Sequence, residues 1–261
     1  MLKKRLIGVV TVRNGWAVQS FGYRRYLPLG RVECLVENLD RWGVDEILVQ
    51  TIDRSADERG PNLDLLGRLG RLGLETPLIY GGGIATADQA VRVIQAGADR
   101  VALDQALHRV PDEVRRMSAR LGAQALIAAV PARFSNAECV LRHDYVSRQC
   151  LPFGNGVSEL IADRVVSELM LIDWQNEGGV TGFEPGQLSA LPCPPVPLIV
   201  FGGFSDPLTA RRFLDLPAVA AVAVGNLFAY REHAYQTYKR SVASSMLRPP
   251  IHAGARPIEE S

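Results

Sequence analysis

Eight short apolar runs are spaced along the chain, and a helical pattern follows each of them. The runs cover residues 6–10, 47–50, 78–80, 101–103, 125–130, 169–172, 198–201 and 219–224. Near-continuous runs of Val, Ile, Leu and Ala are typical of parallel strands buried on both faces, and their alternation with helices predicts right-handed βα crossovers. The pattern therefore predicts an α/β chain folded as a single (β/α)8 barrel, with functional residues after the C-terminal ends of the strands.

Internal repetition favours the barrel over an open doubly wound sheet, which is the minor alternative. Two stretches, 77–84 and 197–204, each run from a strand through glycines into a helix. Because glycine lets backbone N–H groups approach an anion at a helix N-terminus, each stretch is either a phosphate cradle or a tight turn. Other residues recur at offsets of 120 to 122, namely Thr11 with Pro131, Glu46 with Glu168, and Leu103 with Val224. We therefore expect two half-barrel repeats.

The composition excludes several classes of function. With 29 basic and 28 acidic residues in 261, the net charge is +1, so no nucleic-acid or membrane partner is expected. No apolar run approaches the roughly 18 residues of a membrane span. The four cysteines show no C-x-x-C spacing, which indicates a reduced, cytoplasmic protein. The histidines lack ligand spacing and the glycine runs do not read G-x-G-x-x-G, so we expect neither a metal nor another cofactor.

Three segments depart from the repeating pattern. The loop at 14–30 is long for a βα connection and is interpreted as a functional lid, with a hydrophobic flap packed on the barrel as the alternative. Residues 134–156 form a second long connection with room for a small β-hairpin. The barrel is expected to span residues 1–246, and the proline-containing stretch 247–261 is expected to be a disordered tail.

The sequence also predicts where three of the helices begin or end. Apolar spacing predicts a helix at 32–42 that closes at Gly43. Thr86 or Asp88 is expected to cap the helix after the first glycine stretch. Asp206, followed by proline at the first helical position, is expected to open the helix after the second.

Six segments carry a resemblance to a known family. They are residues 4–15, 43–48, 80–84, 97–101, 122–126 and 178–183, which read KRLIGVVTVRNG, GVDEIL, YGGGI, GADRV, GAQAL and GGVTGF. In this order and spacing they resemble the cyclase subunit of imidazole glycerol phosphate synthase, over roughly residues 1–240. The resemblance implies a barrel that takes ammonia from a glutaminase subunit docked on its N-terminal face. It also implies that the ammonia passes through the core to a phosphorylated small molecule, a ribonucleotide with two phosphates, at the opposite face.

The chain departs from this family at the acid–base pair. The family's chemistry needs two carboxylates, one at the end of strand one and one at the end of strand five. The matching residues here are Thr11 and Pro131, neither of which is a useful acid or base near neutral pH. The same loss argues against the sister isomerase of histidine synthesis. Glu177, at the family's third acidic position, and Asp53 remain as catalytic candidates, while a loop-stapling role is open for Asp53 and for Asp173.

The opposite face keeps the family's charges. The resemblance assigns a ring of four charged residues to the ammonia gate, and the matching positions are Arg5, Glu46, Arg100 and Glu168. Gln124 and Asp99 stand at positions that the family uses near the partner interface. Bottom-face charges can equally be structural ion pairs, but keeping the whole ring while losing both acids favours a gate.

Two phosphate sites follow from the resemblance. Gly82, Gly83, Asp104 and Gln105 match the first site, where the Asp104 carboxylate replaces an asparagine and would repel a phosphate. Gly202, Gly203, Gly225 and Asn226 match the second site. The second site is expected to be intact, with backbone N–H groups and a side-chain amide available to an anion.

These observations lead to one main hypothesis and two alternatives. The main hypothesis is a divergent paralogue of the cyclase subunit that pairs with a glutaminase and relays ammonia. By analogy with related paralogues, a separate sugar amidotransferase would use that ammonia in making a surface polysaccharide. The first alternative is a true cyclase with a rearranged acid–base pair such as Asp53 and Glu177. The second is a barrel that only binds a phosphorylated ligand and regulates its partner.

Overall fold

Eight parallel strands close into a barrel in this computed structural model, which describes residues 3–134, 140–230, 234–242 and 247–248. The strands in these residues are β1 (Arg5–Arg13), β2 (Trp16–Phe21), β3 (Arg25–Gly30), β4 (Glu46–Thr51), β5 (Leu78–Gly81), β6 (Arg100–Leu103), β7 (Leu126–Phe134), β8 (Val140–Asp144), β9 (Gln149–Pro152), β10 (Glu168–Asp173), β11 (Leu198–Phe201) and β12 (Val219–Val224). The order around the barrel is β1-β4-β5-β6-β7-β10-β11-β12, and β12 pairs with β1 again. The predicted (β/α)8 barrel is therefore confirmed, and all eight predicted runs lie on or overlap its strands.

Helices cover the outside of the barrel. Those in the described residues are α1 (Val32–Arg41), α2 (Leu63–Gly70), α3 (Ala87–Gln95), α4 (Ala106–Arg109), α5 (Pro111–Leu121), α6 (Asn155–Ala162), α7 (Pro207–Leu214), α8 (Asn226–Tyr230) and α9 (Ala234–Val242). Between β10 and β11 the chain forms only a 3-10 helix, Pro185–Ala190. One barrel connection therefore lacks the α-helix that the repeating pattern predicts.

The predicted helix ends are confirmed. Helix α1 ends at Arg41 and the chain then turns at Gly43, whose positive φ of 71° favours glycine. Thr86 caps α3, because its side chain accepts from the Gln89 N–H while the Gln89 side chain returns to the backbone of Thr86. Asp206 caps α7 through the N–H groups of the next helical turn.

The barrel interior is apolar through its middle. Alternate residues of each strand point inward and form one buried cluster, which contains Ile7, Val9, Leu48, Ile79, Ala102, Ile127, Ala129, Met170, Ile172, Ile199, Phe201, Ala221 and Ala223. The other strand residues pack outward beneath the helices in a second, larger cluster. Because the alternation has a period of two, residues two before and two after this cluster face the same axis. Polar inward-facing residues therefore collect at the two ends of the barrel.

Two β-hairpins extend the barrel at its C-terminal end. Strands β2 and β3 are antiparallel and continue from β1, through the pairing of Val12 with Ala17. The long segment 14–30 is thus an ordered hairpin and not an irregular loop. Strands β8 and β9 form the matching hairpin after β7, which confirms the hairpin expected in 134–156; residues 135–139 lie outside the described part of the chain.

The two glycine stretches occupy equivalent places in the two halves. The equivalent residues, at an offset of 120, are Gly82 (φ 120°) with Gly202 (φ 105°), and Gly83 (φ 75°) with Gly203 (φ 77°). A Cβ on Gly203 would overlap the carbonyl oxygen of Thr181, and one on Gly83 would overlap that of Gly60. In each half, the loop after the preceding strand folds over the glycines at backbone contact. This shared packing is what a half-barrel repeat requires.

The C-terminal stretch is only partly described. Leu247 is buried and bridges Lys4 at the start of β1, and the Arg248 N–H donates to the Lys4 carbonyl oxygen. These two residues therefore belong to the barrel wall, whereas the rest of the tail expected at 247–261 lies outside the described residues. Within the described part of the chain, no helix has the length and apolar character needed to cross a membrane.

We predict that Gly203→Ala destabilises the barrel by roughly 2–4 kcal/mol. The alanine would adopt an unfavourable positive φ and would also press against the Thr181 carbonyl group. The matched control is Gly15→Ala, which has a similar φ of 80° but no atom within 4 Å of the added methyl group. Chemical denaturation should give a loss of about 1 kcal/mol for the control. Equal losses in the two variants would show that the loop contact is not what fixes Gly203.

Candidate functional site

Four charged side chains close the N-terminal end of the barrel. This charged ring consists of Arg5, Glu46, Arg100 and Glu168, and each arginine contacts both glutamates. Arg5 Nη1 lies 2.8 Å from Glu46 Oε1, and Arg5 Nη2 pairs with Glu168 Oε1. Arg100 lies 2.6 Å from Glu168 Oε2 and 3.8 Å from Glu46 Oε1. The four residues expected from sequence are therefore brought together as one closed ring.

Burial sets the electrostatics of this ring. The four side chains expose only 7% to 14% of their surface. Burial disfavours charge on Arg5, but Glu46 and Glu168 outweigh it and raise the Arg5 pKa, so this side chain stays cationic. Burial also raises the pKa of Glu46 against the opposing effect of Arg5 and Arg100. The buried Glu46 Oε2 accepts no hydrogen bond from the described residues, which leaves an acceptor on the barrel axis.

Gln124 and Asp99, the two residues expected near a partner, lie at the same end of the barrel as the ring. The Arg100 Nε group donates to the carbonyl oxygen of Gln124 at 3.1 Å, and Arg100 Nη2 donates to Ser167 Oγ at 3.0 Å. The Asp99 carboxylate accepts from the Leu78 N–H at 2.7 Å. Gln124 and Asp99 are both exposed at this end of the barrel, so their side chains are accessible at this face.

A cavity of about 990 Å³ opens at the C-terminal end. We call it the mouth cavity. Its floor includes Leu48, Ala102 and Met170, which are two residues beyond Glu46, Arg100 and Glu168 on the same strands. These residues face the same axis as the ring because side chains alternate along a strand. The mouth cavity therefore reaches down to the layer of side chains directly above the charged ring.

Thr11 and Pro131, where the resemblance places the acid–base pair, provide no carboxylate. Pro131 lines the mouth cavity from β7. Thr11 is buried on β1 beside Gln50 of β4. A hydroxyl group and a pyrrolidine ring stand where acid–base chemistry would need two titratable groups.

Asp53 and Glu177 do not form a substitute pair. Asp53 lines the mouth cavity, where it accepts from the Asn14 N–H at 3.1 Å and lies near Arg59. Glu177 is 3% exposed and is not a lining residue. Its carboxylate accepts from Ser20 Oγ at 2.7 Å and from the Tyr23 N–H at 3.4 Å, both in the β2–β3 hairpin. Asp173 staples its own loop through two bonds from Asn176.

The β2–β3 hairpin lies over the barrel mouth. Tyr23 at its turn packs against the interior cluster, and its hydroxyl group donates to Gln50 Oε1 at 3.1 Å. Glu177 anchors this turn, and the carbonyl oxygen of Glu177 also accepts from the Gly22 N–H. The hairpin therefore packs on the barrel and covers part of the mouth cavity, while a functional role of segment 14–30 as a lid stays a prediction.

The first glycine cradle is occupied by the protein itself. The Gly83 N–H donates to Ser55 Oγ at 2.9 Å, and Ser55 Oγ donates to the Asp104 carboxylate at 3.2 Å. Tyr145 also donates to Asp104. Ser55 Oγ therefore takes the Gly83 N–H, and the Asp104 carboxylate takes the hydroxyl groups of Ser55 and Tyr145, so these donors are already used within the protein. Gln105, from the same expected site, instead contacts Asp144.

In the second glycine cradle, only a backbone N–H group is left without a hydrogen bond among the described residues. The N–H of buried Gly203 makes no hydrogen bond with any residue that the structure describes, unlike its equivalent Gly83. The Asn226 side chain, however, donates to the Ser20 carbonyl oxygen at 2.7 Å and accepts from the Ser20 N–H at 3.2 Å. The expectation of a free amide is wrong here, because Asn226 holds the hairpin. Gly202 and Gly203 have the positive φ values of a tight glycine turn, and a phosphate site at Gly202, Gly203 and Gly225 stays a prediction.

Comparison with known proteins decides the family. The profile described as "Histidine biosynthesis protein" matches residues 5–234, which is nearly the whole described barrel. This chain belongs to the histidine biosynthesis protein family. It is similar to a Vibrio vulnificus protein named putative imidazole glycerol phosphate synthase subunit hisF2, with 28% identity over 261 residues that cover 95% of this chain and 91% of that protein.

Two further members of the family show how far this similarity extends. Imidazole glycerol phosphate synthase subunit HisF of Thermococcus gammatolerans is 26% identical over 249 residues, covering 93% of this chain and 96% of that protein. The subunit HisF of Natranaerobius thermophilus is 27% identical over 205 residues, covering 78% and 81%. Each of these matches covers at least 78% of both chains, so the likeness is not confined to one half.

Sequence reasoning missed a group of arginines in the mouth cavity of this family member. Arg13, Arg24, Arg133 and Arg148 line the cavity, and none forms an ion pair with a described carboxylate. An aromatic surface lies beside them, where His143 stacks on Trp174 at 3.9 Å between ring centroids. Two of these arginines could have been found from the sequence, because Arg13 and Arg133 repeat at the same offset of 120 as Thr11 and Pro131.

We predict that Glu177→Gln changes how stability depends on pH. Burial raises the pKa of Glu177 above 4.5, its ordinary value, despite the bonds from Ser20, Tyr23 and Gly22. The folded state therefore holds a proton that the unfolded state has lost, so wild-type stability falls as pH rises from 4.5 through the folded-state pKa. Glutamine does not titrate. The unfolding free energy of the variant, relative to wild type, should rise over that window; parallel denaturation curves would contradict the burial argument.

Proposed function

We propose that this barrel pairs with a glutaminase subunit at its N-terminal face and relays ammonia through the charged ring to the mouth cavity. The observation that supports this proposal is the closed ring of Arg5, Glu46, Arg100 and Glu168. The chain keeps these four charges although it has Thr11 and Pro131 in place of the two acid–base residues. The similarity to subunits named imidazole glycerol phosphate synthase supports the partner assignment. The resulting function is ammonia delivery without the cyclase reaction.

Stability alone gives little reason to keep such a ring. Buried ion pairs contribute little net free energy of folding, because desolvation offsets their attraction. Apolar residues of similar size would fill the same layer at no cost to the core. A ring that must open for a small polar molecule, in contrast, needs polar groups on the axis. Glu46 Oε2 offers an unused acceptor for an N–H group of ammonia at that point.

The interior above the ring suits neutral ammonia. Ala102 and Ala129 are small residues that line the lower part of the mouth cavity. An apolar wall disfavours ammonium, because removing its charge from water has a large desolvation free energy. Neutral ammonia has a much smaller one. Only the ring and the adjoining side-chain layer separate the partner face from the cavity. This short distance supports passage along the axis over release into solvent.

The acceptor of the ammonia is proposed to be a sugar in surface-polysaccharide synthesis, amidated by a separate sugar amidotransferase. The support is indirect: the mouth lacks the paired carboxylates that the cyclase reaction needs, so the nitrogen is not expected to be used in that reaction. Gly202, Gly203 and Gly225 remain the proposed phosphate site, with the free Gly203 N–H as its donor.

We predict that Glu46→Gln and Glu168→Gln uncouple the partner. Each change leaves both buried arginines of the ring with one charged partner fewer, and breaking a buried pair costs up to about 3–5 kcal/mol. Glutamine hydrolysis by the cognate glutaminase, titrated with each variant, should be stimulated less than by wild type, and calorimetry should show weaker association. Activity supplied with ammonium chloride should be retained where a product is measurable.

The matched control is Glu184→Gln, which breaks the exposed pair with Arg212 and should leave glutaminase association unchanged. Thermal unfolding of every variant confirms that the barrel is folded before the comparison is made. If both ring variants bind the glutaminase and stimulate it as wild type does, the ring is structural and the relay proposal fails.

A further inference from the structure

We infer that Ser167 is a positioning residue of the charged ring: it fixes Arg100 to the barrel wall, so that Arg5 is the arginine that moves when the ring opens. Ser167 is not one of the four ring residues and carries no charge. The inference rests on the proposed relay and deepens it, because it names the side chain that clears the axis for ammonia.

Arg100 is bonded to the barrel wall as well as to the ring. Its Nε group donates to the Gln124 carbonyl oxygen at 3.1 Å, and Nη2 donates to Ser167 Oγ at 3.0 Å. Ser167 Oγ in turn donates to the carbonyl oxygen of Leu126 at 3.1 Å. Leu126 is the first residue of β7, and Gln124 lies two residues before it. Both bonds therefore tie Arg100 to backbone oxygens that move only with the wall.

The barrel itself places the Ser167 hydroxyl group. The Ser167 N–H donates to the same Leu126 carbonyl oxygen at 3.1 Å. Ser167 also directly precedes Glu168, the first residue of β10, which pairs with Ile127 of β7. The pairing of β7 with β10 thus holds the serine backbone, and its hydroxyl group has a defined position for accepting from Arg100.

Arg5 lacks such a tie to the wall. Its guanidinium group donates to Glu46 Oε1 at 2.8 Å and to Glu168 Oε1, and these are its only side-chain partners among the residues that the structure describes. Both acceptors are side-chain carboxylates, which change rotamer without disturbing the strands. Burial does not separate the two arginines, since Arg5 exposes 10% of its side chain and Arg100 exposes 14%. The difference between them lies in what they bond.

This arrangement requires an arginine at position 100. The guanidinium group has donors on three nitrogens, so Arg100 bonds the wall through Nε and Nη2 while Nη2 also lies 2.6 Å from Glu168 Oε2. Lysine carries all of its donors on one terminal nitrogen and has none at the place of Nε. Arg100→Lys would therefore keep the charge but lose the bond to the Gln124 carbonyl oxygen.

Nuclear magnetic resonance of the full-length chain without glutaminase tests the fixed position of Arg100 independently of the relay. The Arg100 Nε–H signal is assigned by its loss in Arg100→Lys. It should exchange with water about tenfold more slowly than the Nε–H signal of exposed Arg71, because it is hydrogen-bonded to the wall. Equal exchange rates for the two arginines would overturn the inference.

Serine variants test whether Ser167 is responsible. In Ser167→Ala the exchange of the Arg100 Nε–H should become about threefold faster or more, because Arg100 keeps only one bond to the wall. Ser167→Thr keeps the hydroxyl group and should restore slow exchange. The matched control is Ser158→Ala, which removes a hydroxyl group bonded to the Pro192 carbonyl oxygen at 2.7 Å and should leave the exchange unchanged. With folding verified by thermal unfolding, unchanged exchange in Ser167→Ala would remove Ser167 from this role.

Addition of the cognate glutaminase tests which arginine moves. The Arg5 Nε–H signal, assigned by its loss in Arg5→Lys, should shift or broaden, while the Arg100 signal keeps its slow exchange. Loss of protection at Arg100 with an unchanged Arg5 signal would overturn the inference. Absence of binding would contradict the proposed relay and with it the movement of Arg5, whereas the fixed position of Arg100 is decided by the free chain.

Discussion

Closure of the barrel, through the pairing of β12 with β1, is the constraint from which the rest of the molecule follows. Once eight strands share one axis, every second residue of each strand has to face it. Glu46, Leu48 and Gln50 on β4 thus fall into successive layers, from the charged ring to the apolar interior to the mouth. The same alternation that packs the core places polar groups only at its two ends.

The two ends differ in how their charges are arranged. In the ring, two arginines and two glutamates neutralise one another with little exposure to solvent. At the mouth, the acidic residues are tied to Arg59, Ser55 and Tyr145, which leaves several arginines without a counter-charge among the residues that the structure describes. One end is therefore a closed, neutral barrier, and the other is an open cavity with an excess of positive charge. Both ends suit the proposed relay: a small neutral molecule would pass the ring, and an anionic ligand would bind in the cavity.

Local signals were sufficient to predict the strands, the capped helices and the repeat, because apolar runs, Thr86, Asp206 and the paired glycines act through near neighbours. Contacts between distant segments were not predictable in this way. Ser20 binds both Glu177 and Asn226, and these contacts turned an expected acid and an expected phosphate ligand toward the β2–β3 hairpin. Likewise, the sequence predicted that the Asp104 charge repels phosphate, but it could not predict the bonds of Asp104 with Ser55 and Tyr145, which depend on two loops meeting.

Growth of a bacterial strain that lacks its cyclase subunit but keeps its glutaminase tests most directly whether this barrel relays ammonia without performing the cyclase reaction. The strain carries this chain, with soluble expression verified and the strain's own cyclase gene as the positive control. Because Thr11 and Pro131 provide no acid–base pair, the account predicts no growth without histidine. Growth at the rate of the positive control would show that the barrel completes the cyclase reaction with other residues, and would contradict the account.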